Sequence, residues 1–149
     1  MGRRASREAV MKLLYQFEIQ KSDKSEQIDM ALEEESFNDN DKNYIRSIVD
    51  GVNEKIILID SIIEKKAMGW KITRLSKIDL SILRIGIYEI LYCDDIPFSV
   101  SVNEAVELAK RYSNADAGAF VNGLLAKVSK TDVGAEILNN ESDEIVSTD

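Results

Sequence analysis

A chain of 149 residues that is 44% hydrophobic and 31% charged has room for one domain with a real core. It carries one cysteine, Cys93, and no histidine, so an intrachain disulfide is impossible and the usual zinc and acid–base ligands are missing. Metal and nucleophile chemistry start from poor ground, and no cofactor is expected. The net charge of −8 argues against nucleic acid only at first sight, because residues 23–42 and 131–149 each carry −6 and leave the rest of the chain at +4. A nucleic-acid footprint depends on local charge, and this distribution leaves room for an anion-binding patch.

The first predicted element is a helix over residues 3–20, with Val10, Leu13, Leu14 and Phe17 at i, i+3, i+4 and i+7. Its opening is electrically unfavourable. Arg3, Arg4 and Arg7 crowd the positive end of the helix dipole, which disfavours cations there. Either an exposed, frayed terminus tolerates solvated charge, or an anion is bound by the arginine forks and the helix end together. The residues alone leave both readings open.

Ser25 is expected to cap a short second helix, with Ile28, Ala31 and Leu32 facing inward and Glu33, Glu34 and Glu35 in water. After a turn at Asn38 to Asp41, residues Ile45, Val49, Val52, Ile56, Ile59 and Ile63 alternate in steps of four and three. That spacing predicts one long helix, the longest of the chain, forming a bundle seam and closed by Lys65 and Lys66. Trp70 reads as core or as a lid over core, and Ile72 to Leu75 as a single turn.

The organising element is predicted over Ser76 to Tyr92, whose apolar surface (Ile78, Leu80, Ile82, Leu83, Ile85, Ile87, Ile90, Leu91) is too wide for a surface helix. Ser76 and Asp79 suit a capping box. Arg84 and Glu89, charges on an apolar background, read as structural residues that pair with neighbours or reach the rim. Pro97 marks a connection, Ser101 with Glu104 a second capping box, and Asp116 the N-cap of a last core helix carrying Phe120, Val121, Leu124, Leu125 and Val128. The expectation is a compact all-α domain of residues 1–130 and an acidic, disordered tail of residues 131–149. No apolar run is long enough for a membrane span and no signal peptide opens the chain, so a cytoplasmic protein is expected.

Four ordered segments carry a resemblance. They are Arg3, Arg4 with Arg7, Glu8, Ala9 and Leu14, Tyr15; Ile82, Leu83, Arg84 with Tyr88, Glu89; Pro97 followed by the run from Val102 to Lys110; and Phe120, Val121, Asn122, Gly123. In that order and spacing they resemble the NusB family of transcription antitermination factors, over residues 3 to about 129. The resemblance implies an all-α fold of about seven helices around the central helix, and a function in binding and assembly without catalysis. It implies that the chain pairs with the ribosomal protein that doubles as NusE and binds single-stranded boxA RNA, in support of RNA polymerase on ribosomal RNA operons.

Carried over residue by residue, the resemblance makes Arg3, Arg4, Arg7, Asp116 and Phe120 the RNA-binding set and Tyr15 and Asp79 the partner-binding set. Phe120 stacks on a base if its ring is exposed and belongs to the core if it is buried. Between Asp116 and Phe120 the chain has Ala117, Gly118 and Ala119, where polar or basic residues are common in the family, which implies reduced RNA affinity through that loop. Two alternatives remain: an RNA-binding module like that at the front of a ribosomal RNA methyltransferase, disfavoured because no methyltransferase domain or glycine-rich loop follows, and a protein-interaction adaptor with weak or lost RNA binding.

Overall fold

The computed structural model describes residues 2–34, 37–69 and 71–133. The described residues form seven α-helices: α1 (Gly2–Ile19), α2 (Lys24–Glu34), α3 (Asp39–Glu54), α4 (Ile56–Lys66), α5 (Lys77–Tyr92), α6 (Phe98–Tyr112) and α7 (Ala115–Leu125). A single 3-10 turn, Ile72–Arg74, joins α4 to α5. Trp70, Glu35 and residues 134–149, on which expectations were placed, lie outside the described residues.

The central helix is as its sequence demands. Leu80, Ile82, Leu83, Ile85, Ile87, Ile90 and Leu91 are all buried, because α5 packs against α1, α3, α4, α6 and α7 and so has almost no outward face. Each such side chain stabilises the fold by roughly 1.5–3 kcal/mol of apolar burial, before chain entropy is set against it. Two glycines allow the closest approaches. A Cβ on Gly51 of α3 would lie 2.2 Å from the Tyr88 ring, and one on Gly86 of α5 would lie 2.7 Å from a Leu125 methyl. A methyl group at either site would require the facing side chain to shift.

Several local expectations are corrected. The expected long helix is two, since the chain breaks at Lys55 (φ −103°, ψ 15°) between α3 and α4, and α1 with 18 residues is the longest. The seam spacing survives the break because Val52 and Ile59 are buried in the same core. Asp23, rather than Ser25, caps α2, accepting a 3.1 Å bond from the Glu26 N–H. The turn at Asn38 is the start of α3, closed by a capping box with Asp41.

Ser101 does not open α6. Pro97, whose ring presets φ, stands at the N-cap one turn earlier, and Ser101 is buried inside the helix. At α5 only half of the expected box forms: the Asp79 N–H donates to Ser76 Oγ at 3.1 Å, with no return bond. The first residues of the expected tail are also fixed. Asp132 accepts from the Ser129 N–H at 2.9 Å and pairs with Lys66, and Val133 packs against the core.

Candidate nucleic-acid interface

The arginines of α1 divide by depth. Arg7 is one turn before Met11 and on the same side as Val10 and Leu14, so its side chain enters the core with theirs. There it is buried and donates twice to Glu89 of α5, Nε to Oε2 at 3.0 Å and Nη2 to Oε1 at 2.9 Å. Ser101 Oγ donates to the same Oε1 at 3.3 Å. Burial works against the charge on Arg7, but the hydrogen bonds and negative charge of Glu89 overcome it, so the guanidinium is held above its ordinary value. These donors are taken up inside the fold, unlike those of the other arginines expected in the RNA-binding set.

Arg3 and Arg4 remain exposed. The Arg3 guanidinium lies 3.9 Å from the centroid of the Tyr44 ring, a cation–π contact that holds the charge at the surface. Beneath it the Tyr44 hydroxyl is buried without a hydrogen-bond partner, and burial together with nearby Glu89 pushes the phenol well above its usual range. Arg4 donates to Glu104 of α6, Nε to Oε2 at 3.1 Å and Nη2 to Oε1 at 3.0 Å. That bond raises the guanidinium and holds the Glu104 carboxyl below its ordinary value.

One turn along α1 the polarity reverses, with Glu8 accepting from Arg111 of α6. Arg4, Glu8, Glu104, Glu107, Lys110 and Arg111 thus line a shallow cleft of about 270 Å³ between the two helices. Lys12 and Arg111 extend it over the Tyr112 ring, at 5.7 and 5.6 Å from the centroid. The unfavourable cation at the start of α1 is therefore partly answered by the protein's own carboxylate. Sequence reasoning assigned no such role to Glu104, Arg111 or Tyr44. Their roles arise from contacts between residues 41 to 103 positions apart, which no local pattern announces.

At α7 the cap is Asn114, whose Oδ1 accepts from the Ala117 N–H at 2.8 Å, so Asp116 is not the N-cap. Asp116 stands exposed in the first turn, where an acid suits the dipole. Gly118 brings α7 close to Lys110, whose Cγ lies 3.0 Å from where a Cβ would be. Phe120 is half-buried: its ring packs on the core and also lines a groove of about 250 Å³ with Lys66, Met68, Ala119 and Lys127. Among the described residues no hydrogen bond, ion pair or ring contact joins the arginines of α1 to Asp116 or Phe120.

The two residues of the expected partner surface lie at the same end of one helix pair. Helices α1 and α5 run antiparallel, since Arg7 meets Glu89 while Glu18 bonds Arg84 at 2.5 Å and reaches Lys77 at 3.7 Å. Tyr15, one turn before Glu18, and Asp79, two residues after Lys77, therefore occupy the same end of the pair. Both are half-buried, and Asp79 Oδ1 is buried with no partner. Arg84 fills the structural role read for it, gripping Asp60 at 2.9 and 2.8 Å as well as Glu18.

Comparison with known proteins gives this arrangement its relatives. The NusB family model matches residues 4–130. The transcription antitermination protein NusB of Ruminiclostridium cellulolyticum is 76% identical over 143 residues, 96% of this chain and 99% of its own. Among solved structures, T. maritima NusB has a TM-score of 0.81 at 36% identity, covering 86% of this chain and 90% of that one. A complex of antitermination factors NusB and NusE with double-stranded RNA gives 0.79 at 29% identity, covering 87% and 97%. Sequence, helix order and overall shape agree, and the chain belongs to the NusB family.

Proposed function

We propose that this protein is a transcription antitermination factor that binds single-stranded boxA RNA jointly with NusE, within the transcribing polymerase complex of ribosomal RNA operons in the cytoplasm. A relative of the same shape is found in complex with NusE and RNA. The observation in this chain that carries the reading is the exposure of Arg3 and Arg4 at the end of α1, flanked by Lys12, Lys110 and Arg111. Phosphates are met by these cations, a base stacks on the outer face of Phe120, and Asp116 borders the RNA path. The protein's part is to bind and orient, and no reaction step is assigned to it.

NusE docks where Tyr15 and Asp79 share one end of the α1–α5 pair, and the unpartnered Asp79 oxygen accepts from a donor of the partner. A second reading, an adaptor with weak RNA binding, is favoured by one observation: Arg4 and Arg111 are both neutralised by carboxylates of this chain. Titration of labelled boxA RNA with and without NusE separates the two. Joint binding tighter than either alone supports the first, and NusE binding without any gain in RNA affinity supports the adaptor. Asp79→Asn is expected to weaken NusE at least tenfold while Asn still accepts one bond, and NusE binding at full strength would remove Asp79 from the interface.

A further inference from the structure

The groove between α4 and α7 combines exposed apolar surface with positive charge. Lys66 and Lys127 stand at its rim, and Phe120, Ala119 and Leu124 form its floor. Met68 overhangs it with 79% of its surface exposed, on a left-handed backbone (φ 55°) followed by Gly69 (φ 95°). Lys71 and Arg74 continue the basic border in the adjoining hollow that Met68 also lines. Asp132 reaches this rim, 3.2 Å from Lys66.

The described chain ends there: Val128 is buried, Ser129 and Asp132 close a turn, Asp132 pairs with Lys66 of the groove, and Val133 packs on the core. Residues 134–149 hold five acids (Glu136, Glu141, Asp143, Glu144, Asp149), no base, and the apolar pairs Ile137–Leu138 and Ile145–Val146. At full extension they reach roughly 50 Å, about three times the length of α7, which is about 16 Å for eleven residues. A tether this short supplies an effective concentration in the millimolar range, so even a weak contact is occupied.

We propose that residues 134–149 dock across the α4–α7 groove, with Ile137 and Leu138 covering Phe120 and Met68 and the acids facing Lys66, Lys127, Lys71 and Arg74. A segment of this kind offers the groove two things that an RNA strand also offers, negative charge and a group that can cover exposed apolar surface. It therefore competes with RNA there, and this competition, unlike the docking itself, rests on the RNA-binding reading above.

The test uses the full chain with a nitroxide on Ser142→Cys in a Cys93→Ala background. Paramagnetic broadening is read at the Met68 methyl and the Phe120 ring. Docking predicts strong broadening within one chain, abolished when Lys66 and Lys127 are both replaced by Gln and reduced in about 0.5 M salt, where the Debye length is only a few ångströms. Unbroadened Met68 and Phe120 would overturn the proposal. So would broadening confined to mixtures of labelled and unlabelled chains, which would seat a second copy in the groove.

The competition is read separately, by neutralising Glu136, Glu141, Asp143 and Glu144 to their amides and titrating single-stranded RNA. A several-fold tighter complex at low salt that converges with the parent at high salt supports it. Unchanged affinity at low salt with broadening present overturns it. If parent and variant both fail to bind RNA, the RNA reading falls, and the docking is decided by the broadening alone.

Discussion

Arg4 and Arg7 stand one turn apart on α1, and each grips a glutamate of another helix through two parallel hydrogen bonds of 2.9–3.1 Å. By geometry they are equivalent. They differ in solvent, since Arg7 and Glu89 are sealed in the core whereas Arg4 is open to water. A buried pair is hard to break because the surviving partner is left charged in a poor dielectric. An exposed pair adds little to stability, since water and salt solvate its halves nearly as well, and so it can exchange partners. Ion-pair geometry alone therefore does not separate the two arginines; their depth does.

The largest effect should come from breaking the buried pair. Glu89→Ala is expected to cost about 3–5 kcal/mol in urea unfolding, as is Arg7→Ala, while Arg7→Met combined with Glu89→Leu recovers most of the loss. Equal shifts of the urea midpoint for Glu89→Ala and Glu104→Ala would end the comparison. Next is the ligand side. Arg3→Ala with Arg4→Ala should weaken RNA binding at least tenfold and lower the slope of log affinity against log salt by about 0.7 for each phosphate no longer neutralised, with the thermal midpoint hardly moved. An unchanged slope would count against the patch.

Acid sharpens the contrast further. Glu18 and Glu104 are held below the usual carboxylate range, each first by its hydrogen bond to an arginine, Arg84 and Arg4 respectively. A depressed folded value means that the unfolded chain binds protons first. The stability from these pairs is therefore complete above an unfolded value of about 4.3 and is lost as pH falls through the lower folded values. Urea unfolding across that range should show a shallower acid slope for Glu18→Gln, and a smaller change in the same direction for the more exposed Glu104→Gln. The smallest effect is expected at Asp116. Because Asn114 is the cap, Asp116→Asn removes only a share of the dipole interaction, about 0.3–1 kcal/mol, and is expected to tighten RNA binding at low salt by relieving repulsion. Weaker RNA binding with unchanged melting would instead make Asp116 an acceptor for a base.

Much of the fold was legible because helical spacing reports burial directly, as with Val10, Leu13, Leu14 and Phe17 on α1 and the wide apolar surface of α5. What misled was chemistry that looks the same in two settings. Ser101 with Glu104 has the form of a capping box, yet Pro97 starts the helix a turn sooner and turns Ser101 toward Glu89. The break at Lys55 was hidden because both flanking helices feed one core, so the seam spacing never lapses. At the candidate site, Arg7 did carry a readable sign. It falls three, seven and ten residues before Val10, Leu14 and Phe17, on the buried stripe, whereas Arg3 and Arg4 precede it. The partners of Arg4 and Arg111 could not be read, because they depend on how α6 is laid against α1.

The Arg4–Glu104 pair has a consequence for the thermodynamics of any polyanion bound at this end of α1. A bare surface cation gives up no bound salt ion of its own, but it displaces those condensed on the nucleic acid, and their release drives binding more weakly as salt rises. Arg4 arrives with a neutralising carboxylate of the same chain hydrogen-bonded to it. If a phosphate takes its place, Glu104 must move into water without leaving the complex, and its charge stays near the polymer. Part of the entropy that a lone arginine would yield would then be withheld, and a phosphate met by Arg4 would count for less in the salt dependence than one met by a free cation. Arg3, held by the neutral ring of Tyr44, is under no such restraint, and Arg3→Ala is expected to lower the slope more than Arg4→Ala.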